Sequence, residues 1–226
     1  VSVNGAQNWQ SPAAVSVPDE TYSKLNATGV AAPLTEGMET APLTGGYSTD
    51  LTTAIFDGGG IGAGSFGVLD GPTFNYGAIG GFANSDRSIR FRFYSITSGE
   101  MNLVMQKVNL GTNSELSFSH AYRQYQAEND QLEISVSTDC GATWTSVWSE
   151  QGSGLATLPP STTQYVPAAA SDWASNSIDL SAYDNMQDVV VKFTATSAYG
   201  NNLFVDDINI GGASSVEDLA SNTFDV

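Results

Sequence analysis

The chain has one cysteine and one histidine, the residue types that most often supply a nucleophile and its base. Cys140 lies in the segment STDCGATW, and His120 lies in LSFSHAYRQY. A catalytic thiol requires a base or a nearby positive charge, and the neighbouring carboxylate of Asp139 disfavours the thiolate. A zinc knuckle requires more than one residue of each kind. The segment therefore predicts a hairpin turn in which Asp139 and Gly141 form the bend, Trp144 returns to the core and Cys140 is chemically idle.

A glycine pattern typical of dinucleotide-binding proteins occurs in GAGSFG, residues 62–67. Asp86 follows at about the expected distance of 20 residues. That fingerprint functions only between a strand and a helix, and the next residues, VLDGPTFNYG, contain Gly71-Pro72, which excludes a helix. The pattern reflects the abundance of glycine, which occurs 23 times.

Paired carboxylates are the signature of glycoside hydrolases. The candidate pair is Glu36 and Glu39 in PLTEGMET. Three residues apart on an extended strand, their side chains point to opposite faces, which does not suit two acids that flank one sugar bond. The sequence names no catalytic residue, and a hydrolase is the least favoured function.

Acidic residues lie at the ends of several predicted strands. Carboxylates and loop carbonyls are the ligands that calcium prefers, although acids in such positions are also often simply solvated. The candidate metal ligands are Glu39, Asp130, Asp206 and Asp207.

The segment NNLFVDDINI makes Asp206 the central member of this set. Strand alternation places Asp206 on one face with Ile208 and Ile210, among core residues. A buried carboxylate requires a partner or a proton, and no basic residue is close in the sequence. If the first and last strands are neighbours, Glu39 approaches Asp206. We therefore expect a structural Ca²⁺ held by Glu39 and Asp206, with Asp207, Asp130 or loop carbonyls completing the shell. The alternative is a protonated Asp206 hydrogen-bonded to the backbone.

The elements that must position these residues are β-strands. The 226 residues are 41% hydrophobic, enough for a large core, and SIRFRFYSI alternates strictly, with Ile89, Phe91 and Phe93 on one face. Similar short segments follow, separated by turn residues, and none of 12 or more residues has helical periodicity. The pattern predicts an all-β fold, a two-sheet antiparallel β-sandwich of the jelly-roll type.

The segments at both ends differ from the central strands. We expect an N-terminal arm over residues 1–30, the sandwich over 31–212, and a small acidic linker over 213–226. The net charge of −17 argues against nucleic acid and anionic membranes. No apolar run approaches the length of a membrane span, and we expect a monomer.

Aromatic residues among glycines and asparagines suggest a surface on which sugars stack. Exposed rings in such loops would offer large contact areas, although the same rings would also suit the core beneath the loops. The candidate ligand-binding residues are Tyr47, Phe74, Tyr76 and Tyr94.

Several segments together resemble the MAM-like jelly-roll modules of secreted Bacteroidetes proteins, which include cleaved-adhesin and "choice-of-anchor J" domains. The resemblance covers roughly residues 31–211 and is carried by PLTEGMET, DQLEISVSTDCGATW, DWASNSIDL and NNLFVDDINI. In PLTEGMET, Met38 replaces the usual aromatic residue. The tail SSVEDLASNTFDV resembles the segment that leads into the sorting domain of type IX secretion cargo.

This resemblance implies a non-catalytic, extracellular, calcium-binding module of a larger protein. We expect it to bind carbohydrate, a cell surface, a protein partner or a neighbouring domain of its parent. The alternative is a structural spacer with no ligand of its own, appended to a secreted metalloprotease or adhesin.

Overall fold

The computed structural model describes residues 27–58, 66–71, 81–83 and 85–212. These residues form fourteen β-strands. In chain order they are β1 (Val30–Ala31), β2 (Leu34–Glu36), β3 (Tyr47–Ser48), β4 (Ala54–Asp57), β5 (Phe66–Asp70), β6 (Arg87–Phe91), β7 (Gly99–Met105), β8 (Val108–Asn109), β9 (Glu115–Tyr122), β10 (Gln131–Ser137), β11 (Thr145–Gln151), β12 (Ala174–Asp179), β13 (Val190–Ser197) and β14 (Leu203–Ile210).

Two large antiparallel sheets pack face to face. The seven-stranded sheet has the order β12-β9-β14-β6-β5-β3, with β2 also paired to β14, and the five-stranded sheet has the order β11-β10-β13-β7-β4. A short parallel pair joins β1 to β8. The predicted all-β, two-sheet antiparallel sandwich of jelly-roll type is confirmed. In the described part of the chain, no helix is long and apolar enough to cross a bilayer.

The core between the sheets is built from alternating apolar residues. Ile89, Phe91 and Phe93 all lie in it with no exposed surface, as the alternation predicts. Phe118 on β9 meets Phe193 on β13 edge to face, at a centroid distance of 5.5 Å. Such contacts between facing strands join the two sheets.

The single histidine is a satisfied core residue. Burial lowers the pKa of His120, so the neutral ring is favoured. Its Nε2 donates to the Leu155 carbonyl at 2.9 Å, and its Nδ1 accepts from the Asn176 amide at 2.8 Å. Both ring nitrogens are engaged, so His120 does not serve as a base for Cys140.

A β-bulge in β14 reverses the predicted alternation. The pairing of β14 with β9 shifts between Asp206 and Asn209, and Asp207 has a φ of +53°. Ile208 and Ile210 pack in the core, whereas Asp206 lies on the outer face of the seven-stranded sheet, beside Gly81, Phe82 and Ser85. The prediction that Asp206 shares a face with these isoleucines is wrong, because the bulge inserts an extra residue into the strand.

The predicted hairpin turn joins β10 to β11. Asp139 accepts hydrogen bonds from the Thr143 backbone and hydroxyl, at 2.8 and 2.6 Å, and these bonds help lower its pKa to about 2. Cys140 takes the left-handed φ of +58° that tightens the bend. The prediction that Trp144 returns to the core is wrong: Trp144 packs on Ile55 in a separate cluster outside the five-stranded sheet.

Both predicted terminal segments lie almost wholly outside the described residues. The arm over 1–30 contributes only its last four residues, which lead into β1. The linker over 213–226 has no described residue. These two boundaries stay predictions.

Candidate functional site

An acidic pocket lies at the bulge of β14. Along one side of β14, β6 pairs as far as Val205 and β2 begins to pair at Ile208, so Asp206 and Asp207 lie in the gap between the two strands. An open pocket of about 480 Å³ is found there. It is lined by Gly37, Glu39, Phe82, Ala83, Ser85, Asp206 and Asp207.

The pocket brings together three of the four predicted metal ligands. The Ser85 hydroxyl donates to Glu39 Oε1 at 2.5 Å and also interacts with Asp206. Glu39 and Asp207 are exposed, whereas Asp206 is buried. The side-by-side pairing of β2 and β14 that the sequence suggested is the cause of this proximity.

Asp206 is a buried carboxylate without a basic partner among the groups that set its pKa. Burial raises this pKa to about 7. Hydrogen bonds from the backbone N–H groups of Phe82 and Asp207, both at 2.7 Å, oppose that rise. Gly81 is required beside it, because a Cβ there would lie 2.5 Å from Asp206 Oδ2 and collide with the Arg87 carbonyl. The loop thus encloses the carboxylate closely.

The pocket fits a calcium ion in part. Carboxylate and hydroxyl oxygens are hard ligands, and the open side gives an ion access. In the described ranges, however, no three His, Cys, Asp or Glu side chains are grouped so that they could hold a metal. Backbone carbonyls would have to complete a shell around Glu39 and Asp206.

Asp130 lies at a different place. Its carboxylate accepts hydrogen bonds from the Asn201 backbone and the Tyr122 hydroxyl, at 3.0 and 2.8 Å. Asn201 precedes Asp206 by five residues of extended chain, which places Asp130 on the order of 15 Å from the pocket. Asp130 therefore does not join Glu39 and Asp206.

The structure describes two of the four predicted aromatic residues, Tyr47 and Tyr94. Tyr47 is half-buried on β3, and its hydroxyl donates to the Phe66 carbonyl. Tyr94 is half-exposed and forms an edge-to-face pair with Tyr125, at a centroid distance of 6.0 Å. Phe74 and Tyr76 lie outside the described residues, and a shared sugar-stacking face of all four stays a prediction.

The outer face of the seven-stranded sheet is covered by its own chain. Tyr165, Trp173 and Phe204 are buried there in a second hydrophobic cluster. The Asn201 side chain anchors the covering segment, since its Oδ1 accepts from the Tyr165 N–H at 2.7 Å and its Nδ2 donates to the Thr163 carbonyl at 2.9 Å. Packing therefore closes this part of the face, outside the acidic pocket, to a ligand.

The outer face of the five-stranded sheet is polar. The strand registers align one residue from each strand in a single row. Across the sheet the row reads Ser149, Glu133, Thr194, Asn102 and Asp57. At the usual strand spacing the row is roughly 19 Å wide. Its three central residues are half-exposed, and the Thr194 hydroxyl donates to Asn102 Oδ1 at 2.8 Å.

An indole and an ammonium group lie beside this row. Trp144 packs on the apolar cluster of Ile55, Val104 and Val190, and Lys192 Nζ lies 4.3 Å from the centroid of the indole. Partial burial lowers the pKa of Lys192, although Glu100, Glu133 and Asp57 favour its charged form. We call the polar row together with Trp144 and Lys192 the open face.

Sequence reasoning missed the open face and Tyr125. The open face depends on strand registers and on Trp144 pointing outwards, neither of which alternation alone determines. Tyr199 was missed as well, although it stands in the turn SAYGNN between two strong strands, where an aromatic residue is unusual.

Comparison with known proteins identifies relatives of the fold only. The chain matches no protein-family model, and no curated protein matches it. It is similar in structure to the K1 cleaved adhesin domain of Lys-gingipain from Porphyromonas gingivalis, with a TM-score of 0.54, 13% identity, and coverage of 80% of this chain and 99% of that domain. The K2 cleaved adhesin domain of Lys-gingipain gives a TM-score of 0.52, 12% identity, and coverage of 79% and 99%.

A carbohydrate-binding module is also among the similar structures. The xylan-binding CBM22-2 domain from Paenibacillus barcinonensis has a TM-score of 0.45, 12% identity, and coverage of 80% of this chain and 99% of that domain. At these identities the likenesses to the two adhesin domains, with TM-scores above 0.5, show the sandwich fold alone. The resemblance to cleaved-adhesin domains read from the sequence is thus matched at the level of the fold.

Proposed function

We propose that this protein is a non-catalytic, extracellular binding module and that its ligand is carbohydrate. The observation that supports this proposal most is the difference between the two outer faces of the sandwich. One face is closed by Tyr165 and Trp173, and the other presents half-exposed polar side chains beside Trp144. Export by type IX secretion stays a prediction from the terminal residues, which lie outside the described range.

The chemistry of the open face suits a ligand rich in hydroxyl groups. The Thr194 hydroxyl and the Asn102 amide both donate and accept hydrogen bonds, and the Glu133 carboxylate accepts them. Trp144 adds an apolar surface next to them. The net charge of −17 repels uronates and sulfated sugars. A neutral polysaccharide is therefore the proposed ligand class.

Affinity electrophoresis with a panel of neutral and anionic polysaccharides tests this proposal. We expect retardation by at least one neutral polysaccharide, and weaker retardation in Asn102→Ala, which removes a half-exposed amide from the open face. Gln187→Ala is the matched control, because it removes an exposed amide from the connection between β12 and β13. Equal retardation of both variants would remove the open face from the proposal. Mobility unchanged by every polysaccharide would favour the spacer alternative.

The proposed module also contains a structural calcium ion in the acidic pocket. Glu39 and Asp206 would hold it, with Asp207 and backbone carbonyls as further candidates. The observation that favours a cation is the buried Asp206 carboxylate, whose pKa receives no contribution from a basic side chain in the described part of the chain. When bound, the ion supplies positive charge that neutralises this carboxylate and ties β2 to β14.

Thermal unfolding after metal removal tests the calcium proposal. We expect EDTA to lower the midpoint and excess Ca²⁺ to restore it, because a ligand bound only by the folded state stabilises it by mass action. Asp206→Asn should abolish this response, whereas Glu150→Gln, an exposed acid on β11, should retain it. An unchanged midpoint in wild-type protein that also contains no metal by elemental analysis would reject the site.

A further inference from the structure

Three connections between the sheets meet at one end of the sandwich. Leu203, at the start of β14, pairs with Tyr122 at the end of β9 and with Phe91 at the end of β6. The chain therefore leaves β6 and β9, and enters β14, at the same end of the sandwich. The Ser197 hydroxyl, at the end of β13, donates to the Ile96 carbonyl at 2.6 Å and joins two of these connections.

Asp130 fixes the geometry of this end from within. It has no exposed surface, and its Oδ1 accepts hydrogen bonds from the backbone N–H groups of Ala198 and Gly200, at 2.7 and 3.1 Å. Burial raises its pKa, and these bonds together with the bond from Tyr122 oppose the rise. A Cβ on Gly200 would collide with the carboxylate. One buried acid thus determines the shape of the turn over residues 198–201.

The turn holds Tyr199 in a strained and exposed position. Its φ is +67°, a left-handed conformation that is rare for a bulky residue, and strain of this kind costs roughly 1–3 kcal/mol. The side chain remains 55% exposed, so burial of the ring offsets little of that cost. The Ser197 hydroxyl accepts from its backbone N–H at 3.2 Å. The fold therefore maintains an exposed tyrosine that packing does not require.

Two further tyrosines lie at the same end. Tyr94 lies three residues beyond Phe91 and Tyr125 three residues beyond Tyr122, so both lie in connections that begin at the end of the sandwich that also carries the turn of Tyr199. They form the half-exposed edge-to-face pair described above. Tyrosine offers a rigid, amphipathic ring at a low entropic cost of ordering, and this makes it effective at binding sites.

We propose that Tyr94, Tyr125 and Tyr199 form a second carbohydrate-binding site, the tyrosine end, separate from the open face. The flat rings stack on the apolar faces of sugar residues, and the phenolic hydroxyls bond to sugar hydroxyls. The net charge of −17 again selects neutral sugars. This inference rests on the proposed carbohydrate binding, and it assigns to Tyr199 a role that accounts for its strain.

The decisive variant is Tyr199→Gly, which removes the ring and also relieves the left-handed strain. Its midpoint of thermal unfolding should equal or exceed that of the wild type, because glycine adopts positive φ freely. Its affinity for neutral polysaccharide, measured by calorimetry, should fall at least tenfold. Tyr125→Ala should weaken binding in the same direction. Tyr183→Ala, on the connection between β12 and β13, is the control and should bind as the wild type does.

The possible results separate this inference from the proposed function. If Tyr199→Gly keeps wild-type affinity while Asn102→Ala binds more weakly, the tyrosine end is wrong and the carbohydrate module stands. If Tyr199→Gly lowers the unfolding midpoint by several degrees, the ring has a structural role and the inference falls. If the wild type binds no neutral polysaccharide, both the proposed function and the tyrosine end are rejected.

Discussion

The two outer faces of the sandwich differ in how far other segments of the chain cover them. On the seven-stranded sheet, a segment that includes Tyr165 and Trp173 folds back and buries an apolar cluster. On the five-stranded sheet, Trp144 covers a smaller apolar cluster and the neighbouring row is polar and half-exposed. A sheet face can therefore be a second core or an open, partly polar surface, and residues outside the strands determine which.

The segment that includes Tyr165 and Trp173, the covering segment, accounts for this difference between the two faces. Asn201 and Asn202 bind it through side-chain bonds, and the Asn202 amide donates to the Tyr165 carbonyl at 3.1 Å. Both asparagines lie immediately before β14 and have no exposed surface. Buried amides with directed bonds specify one docking geometry. Asn201 and Asn202 thus hold the covering segment against the outer face of the seven-stranded sheet.

The largest expected effect is on the free energy of unfolding, and it differs between Trp173 and Trp144, the tryptophans on the two outer faces. We expect Trp173→Ala to lower the free energy of unfolding by about 3 kcal/mol, because it leaves a cavity in a buried cluster. Trp144→Ala should lower it by only about 1 kcal/mol, since this side chain is half-exposed. Urea unfolding of the two variants measures both values. Equal losses would mean that Trp144 belongs to a core as much as Trp173 does.

A second effect concerns the carboxylate buried in the acidic pocket. Without calcium, the pKa of Asp206 is about 7 in the folded protein and near 3.9 in the unfolded chain. Between these values the folded state binds more protons, so the contribution of Asp206 to stability falls as the pH rises from about 4 to about 7. In EDTA, Asp206→Asn should therefore show a shallower loss of stability over this interval than the wild type.

Urea unfolding at several pH values measures that difference. Glu150→Gln serves as the control and should follow the wild-type profile. Excess Ca²⁺ should reduce the slope of the wild type, because the ion competes with the proton for the carboxylate. Parallel profiles for Asp206→Asn and wild type in EDTA would show that Asp206 titrates as an ordinary surface acid.

The smallest expected effect is at the turn beside the open face. Cys140→Ser should change the free energy of unfolding by less than about 0.5 kcal/mol, because the thiol is partly exposed and unpaired. Polysaccharide binding and calcium content should also remain at wild-type values. Urea unfolding, affinity electrophoresis and elemental analysis check the three quantities. Loss of binding or of metal in this variant would contradict an idle thiol.

Much of the fold could be predicted because strand alternation is a local property. The segment around Ile89 and Phe91 alternates as its burial requires, and Asp139 is placed in its turn by chemistry visible in the sequence. The approach of Glu39 to Asp206 followed from expecting the first and last strands to be neighbours. That expectation came from topology rather than from any single motif.

What could not be predicted depends on contacts between distant segments. The bulge at Asp206 appears only when β14 is aligned with β9, so alternation placed that residue on the wrong face. The face of the sheet on which the Trp144 side chain lies depends on where the turn ends relative to the sheet. The strain at Tyr199 is imposed by Asp130, a residue 69 positions earlier in the sequence. No local sequence pattern predicts hydrogen bonds between residues so far apart.

The hairpin of β10 and β11 has a further consequence at high protein concentration. β11 forms an edge of the five-stranded sheet, and the register shifts between Ile134 and Ser135 of its partner strand. Val147 is the extra residue at this irregularity, and the exposed Glu150 adds a charge to the same edge. A bulged, charged edge is a poor template for another strand. Crowded copies therefore resist joining through β11 into continuous sheets, which keeps the module from aggregating by strand addition at this edge.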